Sequence, residues 1–191
     1  LAQLQFSYQQ LKDRYGIRVV QGDVVGLDAA TRTLSLANGA TLNADRIVLA
    51  PGVEFDVIPG LETGPAQERV PHAWKAGGQT LTLRDRLRSL APGGVVALTI
   101  PKTPYRCPPG PYERACILAD YLRKNKPGSR LMVLDANADI VAERTTFTNA
   151  FNVTHAGIIE YHNNVEVQSI DATAGVVHTN IGNINAALIN A

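Results

Sequence analysis

The sequence predicts an α/β fold with two successive dinucleotide-binding-type domains, each made of a parallel sheet and an antiparallel meander and each incomplete in this chain. Two observations carry this prediction. Residues 16–50 are echoed by residues 157–191, as expected of a duplicated unit. Between the copies, residues 95–135 read as an apolar strand, a loop, a helix and a second apolar strand, which is the order that opens a doubly wound domain.

The two copies of the repeat align over their whole length. The first reads GIRVVQGDVVGLDAATRTLSLANGATLNADRIVLA and the second GIIEYHNNVEVQSIDATAGVVHTNIGNINAALINA, so that Gly16 matches Gly157 and Asp28 matches Asp171. Alternating apolar and polar residues between turn residues predict an antiparallel meander in each copy. The final segments, RIVLA and ALINA, predict strands that are buried on both faces. The alternative is a chance likeness between two β-rich stretches.

The remaining segments predict helices and strands that complete the two units. QLQFSYQQLKDRYG predicts the last helix of the first unit, before its meander. In the second unit we expect a helix in TLTLRDRLRSLAPGG, buried strands in VVALTI and RLMVLDA, and a helix from Pro111 to the stop at Pro127. The predicted divisions are residues 1–60 for the C-terminal part of the first domain, 61–92 for a connecting segment and helix, and 93–191 for the second domain.

The composition excludes several classes of function. The chain has 191 residues, of which 45% are hydrophobic, and 18 basic against 17 acidic residues leave a formal charge of +1. This balance predicts no nucleic-acid partner. No apolar run approaches the roughly 20 residues of a membrane span, and no metal site is predicted. The two cysteines leave the redox compartment open, and Cys116 falls on the apolar face of its helix, where a core role is expected.

The loop after VVALTI lacks the means to bind a dinucleotide. A phosphate cradle needs GxGxxG between strand and helix, because the backbone must approach the pyrophosphate and leave its amides free. Here the segment is IPKTPYRCPPGPYERA, in which Gly110 is the only glycine and the prolines remove N–H donors while they stiffen the chain. Asp135 stands where an acidic residue would bind the ribose of NAD. Without a cradle, we interpret it as a structural remnant.

The same loop carries Cys107, our candidate catalytic residue. The cysteine precedes the N-terminus of a helix and follows Arg106, and both favour the thiolate form. A rigid frame of prolines would hold its sulfur in place. An inert loop cysteine is the alternative. The sharper hypothesis is a redox or nucleophilic sulfur aimed at a cofactor that the first unit carries.

The first unit contains two candidate cofactor-binding segments. Its last apolar strand runs into the turn Ala50, Pro51 and Gly52, which resembles the turn that passes beneath the flavin side of FAD in reductases with two dinucleotide domains. Val24, the third residue of GDV, resembles the strand start whose backbone meets the adenine in such proteins. FAD is therefore the expected cofactor, although a valine in a strand and a strand followed by Pro-Gly are both common.

Together these segments resemble the flavoprotein subunit of flavocytochrome c sulfide dehydrogenase, a relative of the sulfide:quinone oxidoreductases. VLAPGVEFD and VPHAWKAGGQT carry the resemblance in part, and IPKTPYRCPPGPYERA carries it most specifically. Trp74 and Lys75 belong to the second string, and the sequence assigns them no role. The resemblance covers nearly all of this chain, but only the middle of such a subunit.

The resemblance implies a glutathione-reductase-like fold with FAD in the first domain and a second domain that no longer uses NAD. Cys107 matches the first of two cysteines that form a redox-active disulfide near the flavin. Sulfide or another small sulfur species would attack this disulfide, and the electrons would pass through FAD to haem c on a cytochrome c subunit in the periplasm. The partner cysteine and the upstream glycines that bind ADP are expected outside this chain, which alone should be inactive.

Two further interpretations stay open. One is a quinone-coupled flavoprotein related to the sulfide:quinone oxidoreductases, which would need a segment that docks on a membrane. The other is a non-catalytic remnant of the same fold that serves to bind a partner. A second cysteine downstream in the full-length protein would favour the two enzymes, and its absence would favour the remnant.

Overall fold

A computed structural model describes residues 6–191. The chain divides into two compact units, of which one ends at Phe55 and the other spans Asp56–Ala191. Residues 1–5, which begin the first predicted helix, lie outside the described residues. The predicted divisions near residues 60 and 92 stay predictions, since the second compact unit includes both of them.

The first unit contains one short helix and a three-stranded meander. Helix α1 spans Gln9–Tyr15 and ends at Gly16, whose left-handed backbone lets its N–H donate to the Lys12 carbonyl at 2.9 Å. The meander has the strand order β1-β2-β3. Its strands are β1 Val24–Asp28, β2 Thr33–Leu36 and β3 Thr41–Asn43. The predicted meander is therefore confirmed, and the predicted helix forms from Gln9 onward, whereas residues 6–8 are not helical.

The predicted buried strand at the end of the first repeat is wrong. Residues 46–50 form no strand, and Val48 and Leu49 are 90% and 65% exposed. Residues 17–20, which open the repeat, also form no strand. A β-strand needs a paired neighbour to satisfy its backbone groups. The described residues of this unit supply no parallel strand that could pair with either segment.

The second unit combines a parallel sheet, a meander and flanking helices. Its helices are α2 Gly64–Arg69, α3 Gly78–Ser89, α4 Gly110–Asn125 and α5 Arg144–Asn149, which runs into a π-helical turn at Ala150–Thr154. Its strands are β4 Val95–Ile100, β5 Arg130–Asp135, β6 Ile159–His162, β7 Val167–Asp171, β8 Val176–Thr179, β9 Gly182–Asn185 and β10 Leu188–Asn190. The helices and strands expected between the two repeats all form, and α4 begins at Gly110, one residue before the predicted Pro111.

The parallel sheet is the centre of the second unit. Its order is β10-β4-β5-β6, and every neighbouring pair is parallel. Val96 and Leu98 on β4 pack into one apolar cluster together with the buried side of α4, whereas Ala97 packs into a second cluster on the opposite face. A sheet covered on both faces explains why these strands are apolar throughout. The predicted return of ALINA to this sheet is confirmed by β10, whose three residues are buried.

The two meanders have the same hydrogen-bonding register. In the first, Val24 pairs with Leu36 and Asp28 with Thr33, and a bulge follows Val24. In the second, the pairs are Val167 with Thr179 and Asp171 with Val176, with a bulge after Val167. A chance likeness between β-rich sequences would not reproduce both the register and the bulge. The predicted repeat is therefore confirmed for the two meanders.

The first turn of each meander is closed by the same aspartate interaction. The Oδ1 atom of Asp28 accepts hydrogen bonds from the N–H groups of Ala30 and Thr31 at 2.9 and 3.1 Å. Asp171 accepts in the same way from Thr173 and Ala174 at 2.9 and 2.8 Å. These backbone donors lower the pKa of both carboxyl groups from the usual aspartate value. The shared Asx turn explains why the aspartate is kept in both copies of the repeat.

We predict that Gly175→Ala lowers the free energy of unfolding by roughly 1–2 kcal/mol, because Gly175 has a left-handed backbone (φ +70°). A Cβ there would also lie 2.7 Å from the Ala186 carbonyl oxygen. The matched control is Arg32→Ala, at the equivalent turn position of the first meander, where φ is +53° and a side chain is already present. Urea unfolding followed by circular dichroism measures both variants. Equal destabilisation by the two changes would contradict the prediction.

Candidate functional site

The candidate site is the loop between the end of β4 and the start of α4, residues 101–109. It lies at the carboxyl edge of the parallel sheet, where doubly wound folds bind their ligands. The prolines of this loop occupy the region where a phosphate cradle would leave its amides free. The Gly110 N–H, the first of α4, donates to the Cys107 carbonyl at 2.9 Å, and Pro111 has no N–H. The loop therefore offers little to a pyrophosphate.

Cys107 lies at the exposed end of this loop and is not in a disulfide. Its backbone is left-handed (φ +59°), which is uncommon for a residue with a side chain. The turn from Cys107 to Gly110 brings the sulfur back over the helix start: a Cβ on Gly110 would lie 3.3 Å from Sγ. A glycine at this position therefore leaves room for the sulfur beside the first turn of α4.

Asp135, the predicted structural remnant, is fully buried at the carboxyl end of β5. Its Oδ2 atom accepts hydrogen bonds from the hydroxyls of Tyr112 and Tyr161, both at 2.8 Å. Its Oδ1 atom accepts from the Asn137 backbone N–H at 2.9 Å and from the Asn137 amide at 2.7 Å. Both carboxyl oxygens are thus bonded to groups of the protein itself. This arrangement supports the structural interpretation over a ribose-binding role.

The tyrosines around Asp135 are held as neutral hydroxyl donors. Burial raises the pKa of Tyr112, and its hydrogen bond to Asp135 adds to the effect. The pKa of Tyr161 is raised for the same two reasons. The pKa of Tyr105 is raised by burial as well, and its hydroxyl donates to the Pro108 carbonyl at 3.2 Å. These hydroxyls therefore keep their protons at neutral pH and act as donors.

Asn137 connects this buried network to the loop of residues 101–109, which carries Cys107 and is called the cysteine loop below. Its side-chain oxygen accepts a hydrogen bond from the Thr103 N–H, and its amide donates to the Pro101 carbonyl, each at 2.9 Å. The same amide reaches Asp135, as described above. The start of the loop is thus tied to the buried carboxyl group through one side chain. Asn137 was not among the residues predicted from the sequence, although its position two residues after an acidic strand end was a usable signal.

Trp74, to which the sequence assigned no role, lies against the start of α4, where the loop that carries Cys107 ends. The Arg114 guanidinium lies 3.4 Å from the centre of its indole ring, a cation–π contact. A Cβ on Gly110 would be 3.8 Å from Trp74 Cζ3 and 3.3 Å from Cys107 Sγ, so both side chains approach the start of α4. Burial lowers the pKa of Arg114 to about 10, so the guanidinium stays charged at neutral pH. Lys75 makes contacts of its own.

Cys116 belongs to the core, as its position on α4 predicts. It is half-buried and packs against the apolar cluster of the second unit. Burial raises the pKa of its thiol, and the nearby Glu113 carboxylate adds to the shift. A protonated thiol in an apolar setting is unreactive, which fits the structural role.

The predicted cofactor residues lie in the first unit. Val24 begins β1, pairs with Leu36 and is 55% exposed. Ala50, Pro51 and Gly52 are exposed and lie outside the helices and strands. Gly52 has a left-handed backbone (φ +78°) and an open side, since a Cβ there would meet nothing within 4 Å. The open, side-chain-free backbone of Gly52 fits the close approach of a planar ring or a sugar, so this residue is compatible with its predicted role.

Within residues 6–191, His, Cys, Asp and Glu side chains form no group of three that could bind a metal ion. None of the helices in that same stretch has both the length and the apolar character needed to cross a membrane.

The comparisons with known proteins agree on one kind of fold. Residues 80–191 match the family described as the central part of the sulfide dehydrogenase (flavocytochrome c) flavoprotein chain. The sulfide:quinone oxidoreductase of Aquifex aeolicus is 17% identical with a TM-score of 0.71, and the match covers 93% of this chain and 42% of that one.

Two further structures share the fold. A chain of the covalent putidaredoxin reductase–putidaredoxin complex is 14% identical with a TM-score of 0.67, over 98% of this chain and 44% of that one. The HOCl-induced flavoprotein disulfide reductase of Escherichia coli is 17% identical with a TM-score of 0.61, over 95% of this chain and 37% of that one. The chain therefore spans less than half the length of these structures. The predicted fold class is confirmed.

We predict that Asp135→Asn lowers the free energy of unfolding by roughly 1–3 kcal/mol, because the new amide nitrogen cannot accept the hydrogen bonds of the buried donors. Urea unfolding followed by circular dichroism measures the change. The control is Asp120→Asn, which removes an exposed carboxyl group paired with Arg123 and Lys124 and should have a much smaller effect. If Asp135→Asn leaves the free energy of unfolding unchanged, the structural role of Asp135 as a buried hydrogen-bond acceptor is contradicted.

We also predict that NADH neither binds to the full-length protein nor reduces its flavin. The cysteine loop offers few free amide donors to a pyrophosphate. The carboxyl oxygens of Asp135 already accept hydrogen bonds from protein groups and are not available to a ribose. Calorimetric titration measures binding, and flavin absorbance measures reduction. Tight binding of NADH would contradict the interpretation of this loop.

Proposed function

Because the chain belongs to the family of the sulfide dehydrogenase (flavocytochrome c) flavoprotein chain, we propose that the full-length protein is an FAD-dependent enzyme that oxidises sulfide. Other small sulfur species belong to the same substrate class. The electron acceptor in this proposal is haem c on a cytochrome c subunit, and the site of the reaction is the periplasm. Cys107 is the proposed catalytic residue.

The observation that carries this proposal is that the loop at the carboxyl edge of the sheet presents a cysteine where related folds present a phosphate-binding backbone. The loop after β4 has few free amides for phosphate, yet it holds an exposed sulfur in a fixed turn. Asn137 holds the backbone before this turn at Thr103, and the Tyr105 hydroxyl holds the turn itself at the Pro108 carbonyl. A protein that uses the sulfur of Cys107 needs such a frame, whereas an inert loop cysteine does not.

In the proposed reaction, Cys107 forms a disulfide with a second cysteine that lies outside residues 1–191. The sulfur of sulfide attacks one sulfur of this disulfide, forms a new S–S bond with it and releases the other as a thiolate. Cys116 is not that partner in our proposal, since its thiol is half-buried in the core. FAD, when bound, supplies the conversion of a two-electron input into single electrons.

The proposed FAD contacts are the backbone of Val24 and the turn from Ala50 to Gly52. The left-handed Gly52 leaves one side of this turn open, as described above.

The likeness in fold to a sulfide:quinone oxidoreductase gives one alternative, a quinone as the electron acceptor. Reduction assays that compare cytochrome c with a short-chain quinone distinguish the two enzymes. A non-catalytic remnant that only binds a partner is the second alternative. It differs from both enzymes in showing no sulfide-dependent reduction of any acceptor.

We predict that the full-length protein is yellow as purified and that sulfide bleaches its flavin through Cys107. Cys107→Ser should abolish this bleaching, because serine forms no disulfide, and should leave FAD bound. Absorbance near the flavin maximum measures both properties. Cys116→Ser is the matched control and should bleach normally. Normal bleaching of Cys107→Ser would show that Cys107 is not the catalytic residue.

A further inference from the structure

The segment from Pro71 to Trp74 is fixed by three separate elements of the second unit. From β10, the amide of the buried Asn190 donates to the Pro71 and His72 carbonyls at 2.7 and 2.8 Å. From α4, Arg114 donates to the His72 and Ala73 carbonyls at 2.6 and 2.8 Å. At the start of α3, the Gln79 side chain accepts from the Ala73 N–H at 3.0 Å.

The segment also adopts an unfavourable backbone conformation. Ala73 is buried and left-handed (φ +54°), a conformation that costs an L-residue roughly 1–2 kcal/mol. The Trp74 N–H donates to Nδ1 of His72 at 3.0 Å, which closes the turn. Strained residues persist where the surrounding contacts over-determine them, and they occur often at functional sites. This turn fixes the position of the Trp74 indole.

The indole is held on one face and faces the cysteine loop with its edge. The Arg114 guanidinium covers the ring at 3.4 Å, and it is itself fixed by the two carbonyls and by Asn190 Oδ1 at 3.1 Å. Cys107 Sγ and Trp74 Cζ3 lie within 3.3 and 3.8 Å of the same point beside Gly110. The edge of the ring and the exposed sulfur are therefore at most 7.1 Å apart, with the start of α4 beside both of them.

We propose that Trp74 is a specificity-determining residue that forms a wall beside the Cys107 sulfur and restricts its reactions to small partners. The proposal rests on the proposed function in taking Cys107 as the reacting sulfur. Thiol–disulfide exchange needs access along the S–S axis, so a fixed ring beside one sulfur obstructs bulky thiols more than it obstructs sulfide. The substrate class is then sulfide and comparably small sulfur nucleophiles, and peptide-sized thiols such as glutathione are disfavoured.

The test compares two thiol reagents of different size on the reduced, full-length protein. Methyl methanethiosulfonate is small, and 5,5′-dithiobis(2-nitrobenzoate) is bulky. Mass spectrometry of the peptide that contains Cys107 gives the rate of modification at this residue alone. We expect Trp74→Ala to accelerate the bulky reagent at Cys107 by about tenfold, a change of about 1.4 kcal/mol in activation free energy, while the small reagent changes little. Trp74→Phe, which keeps a ring, is the matched control and should resemble the wild type.

Two results would overturn the proposal. Equal acceleration of both reagents would mean that the substitution only loosens the loop, and unchanged rates would mean that the ring does not obstruct the sulfur. If Trp74→Ala does not fold, Trp74→Leu keeps apolar bulk but lacks the reach of the indole, and the same ratio of rates applies to it. The reagents modify Cys107 whether or not sulfide reduces the flavin. If Trp74→Ala accelerates only the bulky reagent while Cys107→Ser bleaches normally, Trp74 restricts access to Cys107 but the proposed function is rejected.

Discussion

The structure of the candidate site depends on one buried carboxyl group. Asp135 ends β5 inside the protein, and the hydroxyls of Tyr112 and Tyr161 and two donors of Asn137 point at it. Each of these donors would be costly to bury without an acceptor. Through them, Asp135 fixes the start of α4, the end of β6 and the beginning of the cysteine loop. The position where related folds recognise a ribose is here an internal anchor.

Local patterns in the sequence predicted much of the fold, because the helices and strands follow from the spacing of apolar residues and from turn residues within each segment. The apolar strands β4, β5 and β10 and the punctuated helix α4 follow from periodicity and turn residues. The strand expected at 46–50 has the same apolar character as β10 and yet does not form. The difference lies in pairing: β10 lies beside β4, whereas the first unit offers no such neighbour among its described residues. Pairing is non-local, so composition could not reveal it.

The candidate site was predictable only in part, for a related reason. The proline loop and Cys107 are contiguous in sequence, so their chemistry could be interpreted from the string itself. The contact of Trp74 with Arg114 joins residues from two distant segments, and Asn190 joins a third. Nothing in the string VPHAWKAGGQT shows which cation covers its tryptophan. Cys107 could therefore be predicted from the sequence. The contacts among Trp74, Arg114 and Asn190 became visible only in the three-dimensional structure.

The anchoring role of Asn190 has a practical consequence for any dissection of this protein into smaller pieces. Asn190 is the last residue of β10, and its amide holds the carbonyls of Pro71 and His72 far away in sequence. A shortened version that stopped after the meander would keep the contacts from α3 and α4 but would lose those from β10, one of the three elements that hold the turn carrying the indole. Its cysteine would then report the reactivity of a loosened loop. Truncated versions intended for thiol chemistry should therefore retain β10 in full.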